Sequence, residues 1–138
     1  VNTMEVYNQF SAKRELEERY RMGQIVKQTY LDSIKLSIQT LIQVNKRDND
    51  EKINHLRKIY LLKEDQFQRE NESTSRDFNE QIWKQINQYV EDFAKDRGYD
   101  FILGASGQGS LMYANDKDNL TKEVIEYINK RYDGKKQS

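Results

Sequence analysis

The first 97 residues of this chain contain no proline and a single glycine, Gly23, and this feature most constrains the fold. Proline and glycine are the residues that a helix interior tolerates least, so only Gly23 opposes a continuous helix here. Apolar residues also recur at steps of three and four, the spacing that places side chains on one helix face. The sequence therefore predicts long amphipathic helices.

A polar segment, NKRDNDE at 45–51, interrupts this pattern and predicts a tight turn at the tip of a helical arm. One helix is expected from Ala12 to this turn, and a second from about Asp50 to Arg97. Because the turn is short, the two helices should be antiparallel neighbours that form a coiled-coil arm over 16–79. The predicted contact stripe of the first helix consists of Leu16, Tyr20, Gly23, Lys27, Tyr30, Ile34, Ile38 and Leu41. That of the second consists of Ile53, Leu56, Tyr60, Lys63, Phe67, Glu70 and Thr74.

Four apolar residues lie off these stripes and are predicted to be exposed: Met22, Ile25, Leu36 and Leu62. Ile25 and Leu36 are eleven residues apart, so they share a helix face to within roughly 20°. Coiled coils usually carry charges at such positions, so these residues are a candidate contact surface. The alternative is that they are scattered exposed aliphatic residues, which are common on protein surfaces.

The second helix has a wider apolar arc after Phe78, which indicates burial in a larger body. The arc comprises Ile82, Trp83, Ile86, Tyr89, Val90, Phe93 and Ala94. Gly98 should end this helix. Two strands, 99–103 and 110–115, are then predicted around the glycine-rich turn GASGQG.

Both chain ends contribute further predicted elements. Asn2, followed by Glu5, has the pattern of a helix cap, so a short helix should follow it. Thr121 is the predicted N-cap of a final helix, and 133–138 is a polar segment that we expect to be disordered. The fold class is therefore mostly α with a small β body, short strands near both ends and a C-terminal helix.

An isolated two-stranded hairpin is marginal in water, so the predicted strands need further strands to pair with. These would come from other copies of the chain or from residues before Val1, since the sequence begins without methionine or a signal peptide and we expect a processed chain. Residues 1–15 and 80–132 would then form an oligomerisation body. Its predicted core residues are Phe101, Ile102, Leu103, Leu111, Met112, Tyr113, Trp83 and Val90.

Composition narrows the functional classes. The chain is 33% charged and only 36% apolar, which favours an elongated helical protein with a thin core. Its net charge is zero, which disfavours binding to nucleic acid and to anionic membrane surfaces. It has no cysteine and no run of 18 apolar residues.

Catalytic chemistry is not indicated. The one histidine, His55, lies in a predicted helix with no cysteine or second histidine to form a metal site. The segment GASGQG lacks the Gly-Lys-Ser/Thr ending of a phosphate-binding loop, and no helix directly follows it. We therefore expect no catalytic residue, no bound metal and no cofactor.

Two segments resemble a known family. The segment GYDFILGASGQGSLMYANDKDNLTKEVIEYIN at 98–129 is similar to the C-terminal signature of the Skp (OmpH-like) periplasmic chaperones. The segment VNTMEVYNQFSAKRELEERY at 1–20 is similar to the opening of that family. Together they cover about a third of the chain, and the arms match in length, polarity and order.

The resemblance implies a homotrimer in which three chains build the β-containing body and three pairs of helical arms enclose a cavity. It also implies an ATP-independent periplasmic holdase, which shelters unfolded outer-membrane β-barrel proteins and hands them to the assembly machinery. Two alternatives remain at this stage. One is a structural or adaptor coiled coil with one fixed partner, and the other, least favoured, is nucleic-acid binding.

Overall fold

A computed structural model describes residues 1–44 and 49–136 of the chain. Four α-helices and one 3-10 turn account for most of these residues. They are α1 (Thr3–Gln9), α2 (Ser11–Val44), α3 (Asn49–Arg97), the turn Asp116–Asp118 and α4 (Thr121–Lys136). The prediction of two long helices is confirmed. Of the predicted tip, 45–48 lies outside the described residues, and 49–51 is already helical.

Polar caps at both ends of the chain explain where the short helices begin. The Asn2 side chain accepts a hydrogen bond from the backbone N–H of Glu5 at 3.1 Å, as the sequence predicts. Thr121 was predicted as the cap of α4, but it is the first helical residue. The Asn119 side chain accepts from the Thr121 N–H at 3.1 Å and from the Thr121 hydroxyl at 2.6 Å, and the hydroxyl oxygen accepts from the Asn2 N–H at 2.8 Å.

One compact unit of the chain consists of Val1–Glu17 and Phe78–Ser138. Its hydrophobic core forms where α1, the start of α2, the second half of α3 and α4 meet. The buried residues are Val6, Phe10, Ala12, Ile82, Ile86, Tyr89, Phe93, Val124, Ile125 and Ile128. Phe10 makes edge contacts with Tyr89 and Tyr132, at ring-centroid distances of 6.1 and 5.7 Å. The wide apolar arc predicted after Phe78 is therefore the face of α3 that supplies this core.

The predicted strands at 99–103 and 110–115 are wrong for this single chain, because neither segment is a strand in the described structure. The glycine-rich segment between them does turn, with φ of +76° at Gly107 and +89° at Gly109. Alternating apolar side chains favour a strand only when a neighbouring backbone pairs with it. The apolar residues of both segments remain largely exposed here, and within 1–44 and 49–136 no backbone pairs with either segment along its length.

The start of the chain does pair with the glycine-rich segment over a few residues. Asn2 and Ala105 form an isolated parallel bridge, with hydrogen bonds of 3.1 Å from Thr3 N–H to the Ala105 carbonyl and 2.7 Å from Ala105 N–H to the Val1 carbonyl. The two segments approach so closely that a Cβ on Gly104 would lie 2.6 Å from Cγ2 of Thr3. A glycine at 104 is therefore needed for this contact.

The prediction of a disordered segment from residue 133 is also wrong as far as Lys136, where α4 ends. No residue there breaks a helix as proline does, and two lysines lie in the last turn, where cations favour the helix dipole. Lys136 also forms an ion pair with Glu15. Residues 137–138 lie outside the described residues.

The second compact unit, Glu18–Asp77, contains an antiparallel pair of helix segments. Gln24 pairs with Asn71, Tyr30 with Phe67 and Lys35 with Tyr60, so partner numbers on α3 fall as those on α2 rise. Leu31, Ile34 and Ile53 are its buried hydrophobic residues. This is the helical hairpin predicted for the arm.

The seam on α2 differs from the predicted stripe at three positions. Tyr20, Gly23 and Tyr30 are exposed, whereas Leu31 is buried and Gln24 is half-buried. The observed seam follows a regular alternation of steps of three and four that begins at Gln24. Tyr30 packs at its edge, where it meets the Phe67 ring edge-on at 6.0 Å. The predicted stripe also moved in steps of three and four, but it was one residue early at Gly23 and Tyr30.

The close contact at Gly104 yields a stability prediction with a built-in rescue. Gly104→Ala should lower the free energy of unfolding by about 1–3 kcal/mol, because the new methyl group would overlap Thr3. Adding Thr3→Ser removes the Cγ2 methyl, keeps the hydroxyl and should restore most of the loss. Urea denaturation followed by circular dichroism measures both variants. An undamaged single variant, or a double variant no better than the single, would contradict the assigned contact.

Gly23 yields a second prediction. A Cβ added there meets no atom within 4 Å, so the glycine does not serve a close helix crossing. Gly23→Ala should therefore raise the free energy of unfolding by about 1 kcal/mol, the usual difference in helix propensity. The same denaturation experiment measures the change, and a destabilised Gly23→Ala variant would show that the glycine has a specific role in the arm.

Candidate interaction surfaces

The four predicted contact residues of the arm are all exposed. Leu36 and Leu62 retain 64% and 70% of their accessible surface, and Met22 and Ile25 retain about half. Met22 and Ile25 are three residues apart on α2 and so lie side by side, with Leu36 further along the same face. Leu62 lies on α3, so the structure does not bring it into one cluster with the other three.

Sequence reasoning missed several equally exposed apolar residues of the arm, namely Val26, Ile42, Val44 and Leu61. Val26 and Leu61 each stand beside a residue that was predicted. Helical geometry could have identified Val26, because a step of 100° per residue places it on the outer face with Met22. The exposed apolar surface of the arm is therefore larger than the sequence indicated.

A layer of polar groups interrupts the seam between the arm helices. The Lys27 ammonium lies 3.2 Å from the Glu70 carboxylate and donates to the Asn71 side chain at 3.0 Å. Asn71 in turn donates to the Gln24 side chain at 3.1 Å. Hydrogen bonds from Gln66 and then Lys27 lower the pKa of the Glu70 carboxyl, so the ionised form is favoured in the folded arm. These contacts fix the register of the two helices.

The eight predicted core residues of the body do not form the core of the chain. Phe101, Met112 and Tyr113 retain 84%, 88% and 81% of their accessible surface, and Leu103 is also exposed. Ile102, Leu111, Trp83 and Val90 are half-buried. Trp83 stacks on Tyr7 at 5.1 Å between ring centroids. Ile102, Trp83 and Val90 pack against the hydrophobic core of this unit. That the eight residues form a core shared between several chains stays a prediction.

A hollow of about 300 Å³ lies among the exposed residues of the body. Its lining is mostly apolar: Val1, Tyr99, Phe101, Ile102, Leu103, Leu111, Ala114, Asp118 and Leu120. Contiguous exposed apolar surface of this kind is typical of a protein–protein interface. The segment 99–115 therefore presents an exposed apolar surface beside a well-packed core.

Charged groups elsewhere in the body connect helices. Tyr127 on α4 donates a hydrogen bond to Asp96 on α3 at 2.5 Å, which raises the pKa of the Tyr127 hydroxyl. Arg131 pairs with Asp92 at 2.6 Å in the next turn. These contacts join α4 to α3.

The described residues include no group of three or more His, Cys, Asp or Glu side chains able to hold a metal ion. His55 is exposed on α3. Within the same part of the chain, no helix is long and apolar enough to cross a membrane.

Comparison with known proteins agrees with this architecture. The family model for Outer membrane protein (OmpH-like) matches residues 1–128, nearly the whole chain. No curated protein matches the chain. The family consists of periplasmic chaperones of outer-membrane proteins, not of enzymes, which supports a chaperone role in outer-membrane protein biogenesis. By its match and by its paired long helices, this chain belongs to the Outer membrane protein (OmpH-like) family.

Proposed function

We propose that the chain is an ATP-independent holdase that binds unfolded outer-membrane β-barrel proteins in the periplasm, between the arms of a homotrimer. The observation that carries this proposal is the set of exposed apolar residues on the arm helices, with Met22, Ile25, Leu36 and Leu62 as client contacts. Family membership supports the client class. Transfer of the client to the outer-membrane assembly machinery would complete the cycle.

The physical requirements of such a chaperone fit these residues. A strand of an outer-membrane barrel alternates apolar and polar residues, so it exposes aggregation-prone surface when unfolded in water. Without ATP to drive release, the chaperone must bind through many weak contacts that exchange easily. Single aliphatic or thioether side chains set among charged residues provide such contacts, and methionine adapts to partners of different shape.

The exposed segment 99–115 supports self-association. Phe101, Leu103, Met112 and Tyr113 are four large apolar side chains that are mostly exposed within one segment, as at protein–protein interfaces. Identical segments from other chains would offer the backbone pairing that a single hairpin lacks. We therefore assign the oligomerisation role to this segment.

Oligomerisation can be tested by solution mass. The variant Phe101→Ser/Met112→Ser should shift the mass measured by light scattering from that of a trimer towards that of a monomer, because it removes two of the most exposed apolar side chains of the segment. Leu61→Ser also replaces an exposed apolar side chain by serine, but on the arm, so it should leave the mass unchanged. A wild-type chain that is monomeric at all concentrations, or a double variant with wild-type mass, would contradict the assignment.

Client binding can be tested by aggregation of an unfolded outer-membrane β-barrel protein diluted from urea. Converting Met22, Ile25, Leu36 and Leu62 to serine should weaken its suppression about tenfold, which corresponds to a loss of about 1.4 kcal/mol across the four positions. Serine at Gln28, Gln39, Asn54 and Gln68, four exposed polar sites on the same helices, is the matched control.

The outcomes separate the proposal from the adaptor alternative. Equal suppression by wild type and the apolar-to-serine variant would show that these four residues do not hold the client. A wild-type protein that never suppresses aggregation, but binds one folded protein with fixed stoichiometry, would instead identify an adaptor coiled coil.

A further inference from the structure

The two helices of the arm differ sharply in charge. Between Met22 and Val44, α2 carries only three charged residues in 23, namely Lys27, Asp32 and Lys35. Between Asn49 and Asp77, α3 carries 13 in 29. Lys27 is directed into the seam by its contacts with Glu70 and Asn71. Two charged side chains are therefore left for the remaining surface of this α2 segment.

The few charged residues also leave one side of α2 without any charge. At 100° per residue, an arc about 100° wide contains no charged residue over some 33 Å of helix. Its members, apart from Gln43, are Met22, Ile25, Val26, Thr29, Ser33, Leu36, Thr40 and Val44, and all of these are exposed. We call these eight residues the neutral face.

The hydroxyl groups on and beside this face use their protons within the helix. Thr29 donates to the Ile25 carbonyl at 2.8 Å, Ser33 to the Tyr30 carbonyl at 2.6 Å and Thr40 to the Leu36 carbonyl at 2.9 Å. Ser37, at the edge, donates to the Ser33 carbonyl at 3.0 Å. Such back-bonding is a known alternative for Ser and Thr in helices. The neutral face therefore presents apolar groups and no free hydroxyl donor.

Resting on the proposed holdase function, we propose that the neutral face of α2 is the client-binding surface of the arm, and that it binds the apolar side chains of unfolded outer-membrane segments without donating hydroxyl hydrogen bonds to their backbone. Leu62 on α3 then lies outside the principal contact. Because the hydroxyl protons of the face are used within the helix, the backbone carbonyls of the client stay free of them and available to the next partner.

The chemistry of the face selects this occupant. An acidic or basic partner would find complementary charges on α3, not on the neutral face. A second copy of the chain would need a contiguous apolar patch, since stable interfaces bury more than about 1,000 Å². Here the hydroxyl positions Thr29 and Ser33 separate Val26 from Leu36, so the apolar groups form one small cluster of three followed by single residues. Unfolded segments with spaced apolar side chains suit such a surface.

The decisive experiment places charge on the face. Ser33→Lys/Thr40→Lys should need about tenfold more protein to suppress aggregation of an unfolded outer-membrane β-barrel protein, because the client would have to pack against an unpaired charge. Ser33→Glu/Thr40→Glu should lose as much, since the sign is irrelevant. Ser73→Lys/Thr74→Lys makes the same exchange on exposed positions of the charged helix α3 and should behave as wild type.

Two further measurements test the nature of the contact. Ser33→Ala/Thr40→Val removes both hydroxyls and should keep suppression within twofold of wild type. Wild-type suppression should likewise change less than twofold between about 50 and about 500 mM salt, because screening acts on charge pairs. Loss of suppression on removing the hydroxyls, or its collapse in salt, would overturn the inference.

The remaining outcomes separate this inference from the function on which it rests. If wild type does not suppress aggregation, the holdase proposal fails and the inference fails with it. If wild type suppresses aggregation and the face and control lysine variants are equal, the inference alone is overturned. A change in oligomer mass in the face variants would make the face a contact between copies of the chain and would also overturn it. Circular dichroism confirms that each variant retains its helices.

Discussion

The shortage of apolar side chains between Glu18 and Asp77 governs the properties of the arm. Only Leu31, Ile34 and Ile53 are buried hydrophobic residues among the described part of this unit, and Asn49 is buried beside them. Most of the stability of a helix in a protein comes from packing of an apolar face, so a seam this thin holds its helices weakly. Polar contacts such as that of Lys27 with Glu70 set the register but add little energy when partly exposed.

The body shows the opposite balance. Aromatic and aliphatic side chains from three separate parts of the sequence converge there, with Phe10 and Phe93 almost completely buried. The ties between the chain start and Ala105, and between Asn2 and Thr121, hold distant segments against this core. Segment 99–115 is thereby held by residues that are already stably packed, although its own apolar side chains face outward. A stable base with an uncovered apolar edge is suited to association with identical chains.

Much of this structure could be predicted from sequence because its causes are local. The absence of proline and the scarcity of glycine predicted the long helices. Asn2 predicted a helix cap, because its side chain accepts from the backbone N–H of Glu5, only three residues along the chain. The burial of Ile82, Ile86 and Phe93 followed from helical spacing. The strands at 99–103 and 110–115 failed because strand formation requires a partner strand, which the described residues of one chain do not supply. The predicted seam near Tyr30 was one residue out of register, because steps of three and four along a helix allow more than one stripe.

The exposed residues of the arm were only partly predictable from sequence. Their position follows from a 100° step, and so Met22, Ile25 and Leu36 could be identified from sequence. The internal bonding of Thr29 and Thr40 could not, because a hydroxyl can turn either to water or to the carbonyl one turn back.

A coiled coil ordinarily buries its apolar residues and exposes its charged ones, yet around one turn of α2 this order is inverted. Lys27 and Gln24 occupy the seam, while Met22, Ile25 and Val26 face outward. Exchanging the two sets would give a tighter seam and a more soluble surface, so the inversion sacrifices stability. The dense charges of α3 help keep the arm soluble in spite of this face. An arrangement that costs stability and exposes apolar groups is understandable where those groups must remain available to bind another chain.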